Sequence, residues 1–356
     1  MITQCHQLLR QIEHTCTRPW TVMEVCGGQT HALLRHGIDQ LLPESIQLIH
    51  GPGCPVCVTA LSRIDQALAL AEKPHHLLCT YGDMLRVPGS DGRTLLELRS
   101  RGAAVQLVTS PLDVLALARQ WPQRRVVFFA VGFETTAPAT ALLAERALEE
   151  RLPNLRILVA HVRVVPVLEH LLKEPTCGVQ GVLAAGHVCT VLGEQGLPAL
   201  VQRYRRPVVI TGFSAEELLR GILQCVQQLE AGCHGLQNAY PRAVQAAGNP
   251  QARRRLERVM EPIDTPWRSF GVIPGGGYRL RPAYAQLDAA PGAAKEPKLE
   301  HSPIGPHSCC SAQVLRGALR PNQCPSFANP CSPEQPLGAP MVSSEGACAA
   351  YYRYGR

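Results

Sequence analysis

Short runs of apolar and β-branched residues recur along the first two thirds of the chain, separated by segments long enough to form a helix. The distance between the starts of successive runs is about the length of one βα unit. The runs are apolar without alternation, as in parallel strands that helices cover on both faces. The pattern therefore predicts an α/β fold with eight strands, at residues 21–25, 45–49, 77–80, 104–108, 126–131, 155–160, 179–184 and 207–211.

Two architectures accommodate eight βα units. The units can close into a (β/α)8 barrel, or they can form two four-stranded open sheets. The hydrophobic periodicity is the same in both architectures, so it does not decide between them.

The composition changes after about residue 282. Eleven prolines fall between residues 282 and 340, and five cysteines fall among the last 48 residues. Residues 287–308 have the composition of a linker or surface loop, and beyond them only 314–319 and 345–352 are helix candidates. A region so poor in core needs another source of order, and a metal cluster is one such source.

The overall composition is that of a globular protein, with 46% hydrophobic and 18% charged residues in a chain of 356. No run of 18 apolar residues exists, and the first 16 residues are polar, so we expect neither a membrane span nor a secretory signal. Fifteen cysteines in a chain expected to be cytoplasmic favour metal binding or redox chemistry over a disulfide framework. The net charge of +7 is modest, and nucleic acid is not implied as a partner.

Cysteines follow the first two predicted strands, on the side where open α/β sheets bind ligands. Cys26 opens a glycine-rich turn into a helix, where backbone N–H groups and the helix dipole favour thiolate over thiol. His31 can supply an imidazole ligand or a proton, although a lone histidine is often structural. Cys54 and Cys57 have the CxxC spacing, which suits either a redox pair or half of a zinc site.

Glu134 and His187 are two further candidates at strand ends. Glu134 follows the fifth predicted strand, together with Thr135 and Thr136, and His187 follows the seventh. Capping of the next helix also explains the glutamate and the threonines. The position of both residues on the same side as the cysteines makes them candidate site residues.

The cysteines of the C-terminal region do not have the paired spacing of zinc knuckles. Cys324 and Cys331 are seven residues apart, and Cys348 lies seventeen further on. A [4Fe-4S] cluster needs four thiolates, and Cys309 or Cys310 would complete the set.

Taken together, these motifs resemble the HypD family of [NiFe] hydrogenase maturation factors. The resemblance covers nearly the whole chain and is carried by MEVCGGQTH at 23–31, HGPGCPVCV at 50–58, GFETT at 132–136, GHV at 186–188 and MVSSEGACAA at 341–350. It implies two similar Rossmann-like parallel-sheet domains facing each other, followed by an irregular iron-sulfur domain, and it therefore favours two sheets over a barrel. We expect these three domains at residues 1–118, 119–240 and 241–356.

The resemblance also implies a function, that of a metal-centre assembly scaffold with redox activity. Such proteins work with a HypC-type chaperone and a HypE-type donor that carries cyanide as a thiocyanate, and iron with two cyanides and one carbon monoxide is built on the complex. By position, Cys26 would hold the assembling iron beside His31, and Cys54 and Cys57 would be a dithiol or disulfide relay. The [4Fe-4S] cluster would be held by Cys310, Cys324, Cys331 and Cys348.

Two positions depart from the family pattern. Ser311 stands where the family has its first cluster cysteine, so ligation has to shift to Cys310 or Cys309 or use the serine oxygen. Gln29 stands where histidine is frequent, so a second imidazole near Cys26 is missing. Two other functions also fit the motifs, a general thiol-disulfide oxidoreductase and a zinc-stabilised interaction module.

Overall fold

The computed structural model describes residues 2–290 and 309–355, which form two compact units. The first unit consists of residues 2–54, 164–249 and 309–355, and the second of residues 55–163 and 250–290. Most of the predicted linker at 287–308 lies outside the described residues.

All eight predicted strands are present, with ends that differ from the prediction by one or two residues. Three additional strands, β9 to β11, were not predicted. The strands are β1 (Trp20–Glu24), β2 (Ile46–His50), β3 (His76–Thr80), β4 (Val105–Leu107), β5 (Arg125–Gly132), β6 (Leu155–His161), β7 (Gly181–Ala185), β8 (Val208–Thr211), β9 (Leu236–Asn238), β10 (Met260–Trp267) and β11 (Gly271–Leu280).

The strands form two open parallel sheets rather than a barrel, as the family resemblance implies. The sheet of the first unit has the order β2-β1-β7-β8-β9, and that of the second unit has the order β4-β3-β5-β6. Every neighbouring pair in these two sheets is parallel. Strands β10 and β11 form a separate antiparallel hairpin in the second unit.

Helices connect and cover the strands. They are α1 (Ile2–Thr15), α2 (Gly27–Arg35), α3 (Ile38–Leu41), α4 (Pro55–Val58), α5 (Leu61–Ala71), α6 (Leu95–Ser100), α7 (Asp113–Gln120), α8 (Ala137–Glu149), α9 (Val164–Lys173), α10 (Gly186–Leu192), α11 (Leu197–Tyr204), α12 (Ala215–Glu230), α13 (Pro250–Val259), α14 (Ser311–Leu315), α15 (Ala339–Val342) and α16 (Ala347–Tyr354). The predicted C-terminal helix at 345–352 corresponds to α16, whereas the one predicted at 314–319 overlaps α14 only at residues 314 and 315. Short 3-10 turns follow β3 and β11 and precede Cys324.

The compact units are not the three consecutive domains that we expected from the sequence. Strands β7 and β8 pair beside β1, so the first unit combines the start of the chain with its later part. The C-terminal cysteine region belongs to this same unit, where Gly317 lies against the side chain of Ile49. The apolar pattern of a strand reports its burial but not its neighbour, which is why the consecutive division differs from the observed one.

Each unit has its own hydrophobic core. In the first unit, α1, α2 and α12 pack on the sheet around Ile12, Leu33 and Ile222. In the second, α7 and α8 pack on the sheet around Phe128. Among the described residues, no helix is both long enough and apolar enough to cross a membrane.

Truncation of Phe128 is predicted to destabilise the second unit. The ring is fully buried on the central strand β5, so Phe128→Ala leaves a cavity and should lower the free energy of unfolding by about 3–5 kcal/mol. Denaturant unfolding followed by circular dichroism measures the change. The matched control is Leu96→Ala on α6, where the side chain is 46% exposed, and its effect should stay within about 0.5 kcal/mol. Equal losses in both variants would contradict this description of the core.

Candidate functional site

The candidate site lies at the carboxyl edge of the first unit's sheet, where the turns after β1, β2, β7 and β8 meet. Cys26 follows β1 and is the N-cap residue of α2. Its backbone is extended and its side chain caps no N–H group of the helix. Its carbonyl accepts hydrogen bonds from the N–H groups of Gln29 and Thr30, which starts the helix. The thiol is therefore not used to cap the helix.

The turn after β2 packs directly on the backbone of Cys26. The N–H of Gly27 donates to the carbonyl of Gly53 over 2.9 Å. A Cβ at position 53 would lie 2.3 Å from the nitrogen of Cys26, a distance that no side chain allows. Gly53 is therefore required for this close approach. Cys54 follows it immediately, so the first cysteine of the CxxC motif starts next to Cys26.

Cys54 and Cys57 form a disulfide. Both are buried, with 3% and 0% of their surface exposed. The spacing thus brings the two sulfurs within bonding distance, as predicted. The helix α4 that carries Cys57 continues into Val58, whose carbonyl accepts a hydrogen bond from the N–H of Arg268.

A buried carboxylate, Glu24, organises the turn around Cys26. One of its oxygens accepts the N–H of Cys26 over 2.9 Å. The other accepts hydrogen bonds from the hydroxyl of Thr30 and from Nδ1 of His50, the latter over 2.8 Å. Glu24 thus joins the turn after β1 to the end of β2. Our sequence reasoning missed Glu24 and His50, although a charged residue at the end of an apolar strand is the signal that could have found them.

The sulfur of Cys26 is protonated more readily than we expected from its position. Burial raises the pKa of this thiol to about 12, although the residue as a whole is only partly buried. The N–H groups of Gln29 and Gly28 lower the pKa, as the helix start predicts, but the charges of Glu24 and Glu345 raise it. The helix start therefore does not favour the thiolate as we expected, because loss of water outweighs the helix dipole.

His31 is held by the C-terminal region rather than by the cysteine turn. Its Nδ1 lies 3.2 Å from the carbonyl oxygen of Ser344, and its Nε2 lies 3.3 Å from the hydroxyl of Tyr354. The imidazole also packs edge-on against the ring of Tyr354. Both ring nitrogens therefore have partners on the segment that carries Cys348.

His187 lies at the same sheet edge as Cys26, in the turn after β7. Its ring stacks on Phe213 with 3.8 Å between ring centres. A Cβ added at Gly28 would lie 3.1 Å from the Phe213 ring and 3.8 Å from the sulfur of Cys26, so this aromatic side chain connects the two turns. The stacking removes part of the imidazole from water and lowers the pKa of His187, while the ring keeps an exposed edge.

The side-chain amide of Gln29 ties the same turns together. It donates to the carbonyl of Ala184 over 3.0 Å and to both oxygens of Thr211. Gln29 therefore bridges the ends of β7 and β8 beneath the site.

Glu134 belongs to the second unit and is buried there. Thr136 is the N-cap residue of α8, but its side chain makes no capping hydrogen bond, so capping does not explain this motif. Burial raises the pKa of Tyr278, and the charge of Glu134 adds to the rise. His161, which sequence reasoning missed, ends β6 in the same unit, and burial lowers its pKa to about 4.

Five cysteines of the C-terminal region line a single cavity. The walls are otherwise mostly apolar, and the cysteines are Cys309, Cys310, Cys324, Cys331 and Cys348. Leu337 donates its N–H to the sulfur of Cys331 over 3.4 Å, and a Cβ on Gly338 would lie 2.3 Å from the sulfur of Cys309. Ser311 also lines the cavity.

The donor set of this cavity fits an iron-sulfur cluster. Within the described residues, no three His, Cys, Asp or Glu side chains are close enough to share one metal ion. A four-iron cluster does not require that arrangement, since each thiolate binds a different iron. Soft sulfur donors around an apolar cavity, with a backbone N–H on one of them, suit such a cluster.

The five thiols differ in how strongly they interact with one another. Burial raises the pKa of Cys348 well above its usual value, and the other four thiols add to the rise, Cys309 most and Cys310 least. For Cys331, burial again raises the pKa, and Cys309 and Cys324 are the thiols that contribute. Cys309 thus acts on both Cys331 and Cys348, whereas Cys310 acts on Cys348 and hydrogen-bonds with Cys324.

The C-terminal region also packs on the turn of Cys26. A Cβ on Gly27 would lie 2.5 Å from the Cβ of Glu345 and 2.6 Å from its carbonyl oxygen. Glu345 stands three residues before Cys348, and Gly27 stands one residue after Cys26. The structure therefore brings together three of the predicted motifs, those around Cys26, Cys54 and Cys348.

A parallel α/β fold with one cysteine at a sheet edge, a neighbouring CxxC pair and a cavity of five thiols defines a cysteine-based redox or metal-handling protein. Comparison with known proteins narrows this class. The family model HypD, described as "Hydrogenase formation hypA family", matches residues 3–355. The chain belongs to the HypD family of hydrogenase maturation factors.

Curated relatives agree over nearly their whole length. The chain is 42% identical over 355 residues to the hydrogenase maturation factor HypD of Escherichia coli K12, covering 99% of this chain and 94% of the relative. It is 44% identical to HypD of Azotobacter vinelandii and 40% identical to HypD of Cupriavidus necator, each over 95% of this chain and 90% of the relative.

The carboxylate that holds the Phe213 turn should make stability depend on pH. Burial of Glu217 opposes its ionisation, but hydrogen bonds from Arg242, Ser214 and Phe213 outweigh burial and lower its pKa to about 2. Its stabilising contribution is therefore present above about pH 4.5, the ordinary range for a glutamate, and is lost as pH falls towards 2.

Glu217→Gln tests this dependence. The variant should melt below the wild type at pH 7, and the difference should shrink towards pH 3, as measured by thermal unfolding at both pH values. Glu13→Gln, at an exposed position on α1, is the matched control and should show no such trend. A difference that stays constant from pH 7 to pH 3 would contradict the assigned role of the carboxylate.

Proposed function

We propose that this protein is a redox-active scaffold on which the iron of [NiFe] hydrogenase receives two cyanides and one carbon monoxide, in the cytoplasm, together with a HypC-type chaperone and a HypE-type cyanide donor. The observation that carries the proposal is the contact between the backbones of Gly53 and Cys26. It holds a single cysteine beside one end of a CxxC pair, so that a thiol able to bind iron adjoins a pair able to exchange electrons.

Cys26 would be the thiolate that holds the assembling iron. Its side chain does not cap α2, the residue as a whole is partly exposed, and buried polar groups fix its backbone. The raised pKa of the unliganded thiol keeps it protonated until a cation arrives, and iron binding then releases the proton. His187, on the neighbouring turn, is the imidazole placed to assist at this edge, and His31 would position α2 against the C-terminal region.

Cys54 and Cys57 would supply the electrons that release cyanide from a thiocyanate. Cleavage of the S–CN bond takes up two electrons and yields a thiolate and a cyanide ion. Oxidation of the dithiol to the disulfide gives two electrons and two protons, so the exchange balances. A disulfide between Cys54 and Cys57 would be the product of that step and would have to be reduced before the next one.

The same pair does not suit a general thiol-disulfide oxidoreductase. Such an enzyme needs an attacking sulfur that a protein substrate can reach. Both sulfurs of the pair are buried here, whereas Cys26 is partly exposed. The burial supports electron exchange with a neighbouring site over turnover of large substrates.

The cavity of five thiols would hold a [4Fe-4S] cluster, which supplies electrons one at a time when bound. Cys324, Cys331 and Cys348 would be three of its ligands. The fourth would be Cys309 rather than Cys310, because Cys309 lies against the Leu337-Gly338 segment that also contacts Cys331. Glu134, a buried carboxylate that follows β5 in the second unit, is proposed as a further reactive group.

Replacement of Cys26 tests the scaffold function. Cys26→Ala should abolish the infrared bands of iron-bound cyanide and carbon monoxide in the complex with the chaperone. It should leave the iron and acid-labile sulfide of the cluster unchanged, because the cluster thiols lie elsewhere. Cys233→Ala removes an exposed cysteine of the same unit and is the matched control, with bands retained. Infrared bands that survive in Cys26→Ala would refute the role of this residue.

Paired variants of the adjacent cysteines test the cluster ligands. Cys309→Ala should lose at least one iron per cluster and change the electron paramagnetic resonance spectrum of the reduced protein, whereas Cys310→Ala should keep the wild-type spectrum. Iron and sulfide analysis of anaerobically purified protein gives the stoichiometry. The reverse result would reassign the fourth ligand to Cys310, and zinc without sulfide in the wild type would favour an interaction module without a cluster.

A further inference from the structure

A cavity rich in cations lies in the second unit, at the edge of the sheet opposite to the strand ends that carry Glu134. Its volume is about 310 Å³. Its charged lining residues are Lys73, His76, Arg125, Arg156 and Asp288. The volume is in the range of small-molecule sites.

The register of the parallel strands produces this cluster. His76 and Arg125, at the starts of β3 and β5, are directly paired, and Arg156 on β6 pairs with Val127, two residues after Arg125. Residues 126 and 155 point into the hydrophobic core, so Arg125 and Arg156 share the other face of the sheet. Three neighbouring strands thus present basic side chains on one face.

The positive charges of the cavity are not balanced by carboxylates. Burial lowers the pKa of Arg156, and the nearby charge of Arg125 lowers it further, which shows that the two guanidinium groups are close. Within the described ranges, Lys73 and Arg125 are in no ion pair, whereas Arg93, Arg101 and Arg119 of the same unit each pair with a carboxylate.

Asp288 is the single acidic residue of the lining, and it is already engaged. One of its oxygens accepts the N–H of Ala290 over 2.9 Å, and its charge acts on Arg63. It therefore does not neutralise the two guanidinium groups and the ammonium group.

Arg156 is held in place without its charge being satisfied. One nitrogen of its guanidinium donates to the carbonyls of Pro153 and Leu155, over 2.8 and 2.7 Å. A guanidinium has five N–H donors, so others remain for a ligand. A fixed arginine beside a second arginine and a lysine is the arrangement that binds oxyanions through charge-assisted hydrogen bonds.

We propose that this cavity binds a multivalent oxyanion of the phosphate or pyrophosphate class. The anion would bridge Arg125 and Arg156, with Lys73 contributing charge from the end of α5. Binding would relieve the repulsion between the cations and would therefore stabilise the folded protein. The proposal does not depend on the iron chemistry proposed above, because no residue of the cavity belongs to that site.

Calorimetric titration of the full-length protein with pyrophosphate tests the proposal. We expect one binding event per chain and a rise in melting temperature beyond that caused by chloride at the same ionic strength, which separates specific binding from screening. Arg125→Gln should weaken binding about tenfold or more. Arg99→Gln, which removes an equal charge from an exposed position on α6, is the matched control and should bind as the wild type does.

Lys73→Gln serves as a second variant at an exposed position and should also weaken binding, in case Arg125→Gln disturbs folding. Orthophosphate should bind more weakly than pyrophosphate, because it offers fewer oxygens to bridge two guanidinium groups. Absence of saturable binding, or equal affinity in Arg125→Gln and Arg99→Gln, would overturn the proposal. Binding of an oligoglutamate peptide but of neither phosphate would also overturn it and would point to an acidic protein segment.

Discussion

The candidate site depends on one close approach, that of the backbone at Gly53 to the backbone of Cys26. A side chain at position 53 would collide with the nitrogen and Cα of Cys26, so only glycine allows the turns after β1 and β2 to meet. The hydrogen bond from the N–H of Gly27 to the carbonyl of Gly53 fixes this contact. The carboxylate of Glu24 stabilises it further through its hydrogen bonds with the N–H of Cys26 and with His50. Adjacent parallel strands, β1 and β2, supply both turns, which places a single cysteine and a cysteine pair at neighbouring positions.

The same packing that assembles the site also determines the chemistry of its thiol. A helix start tends to stabilise a thiolate, and the N–H groups of Gln29 and Gly28 act in that direction. The turn is nevertheless buried between two acidic residues, Glu24 and Glu345, so the protonated thiol is favoured. A cation bound at the sulfur would remove this preference, because it supplies the positive charge that the surroundings lack. This preference agrees with the proposed role of Cys26 as the thiol that would hold the assembling iron.

Much of the fold could be predicted from the sequence, and the reasons for the exceptions are physical. The eight strands were evident because a strand covered on both faces has to be apolar throughout. The hairpin β10–β11 was not predicted because prolines and glycines interrupt the apolar pattern that is typical of a strand. The pairing of β7 with β1 was missed because an apolar run does not identify its partner.

The single and paired cysteines of the site were recognised by their spacing. Glu24 and His50 were not, because their role comes from a three-dimensional hydrogen-bond network. The proposal of Cys309 in place of Cys310 as a cluster ligand rests on the close approach of Cys309 to Gly338, which two adjacent positions in a sequence do not reveal.

The two edges of a parallel sheet favour side chains of opposite charge. The cations of the cavity in the second unit follow this rule only in part. In a βα unit the helix runs back along the strand, so the carboxyl edge of the sheet meets helix N-termini and the amino edge meets helix C-termini. The negative end of α5 accounts for a cation at Lys73, but such an interaction is worth only about 0.3–1 kcal/mol and falls off within one turn. Arg125 and Arg156 are diagonal neighbours on paired strands, where a helix end does not offset their repulsion. Two adjacent like charges on paired strands destabilise a sheet, so a chain that keeps them at the wall of a cavity gains stability when an anion binds between them.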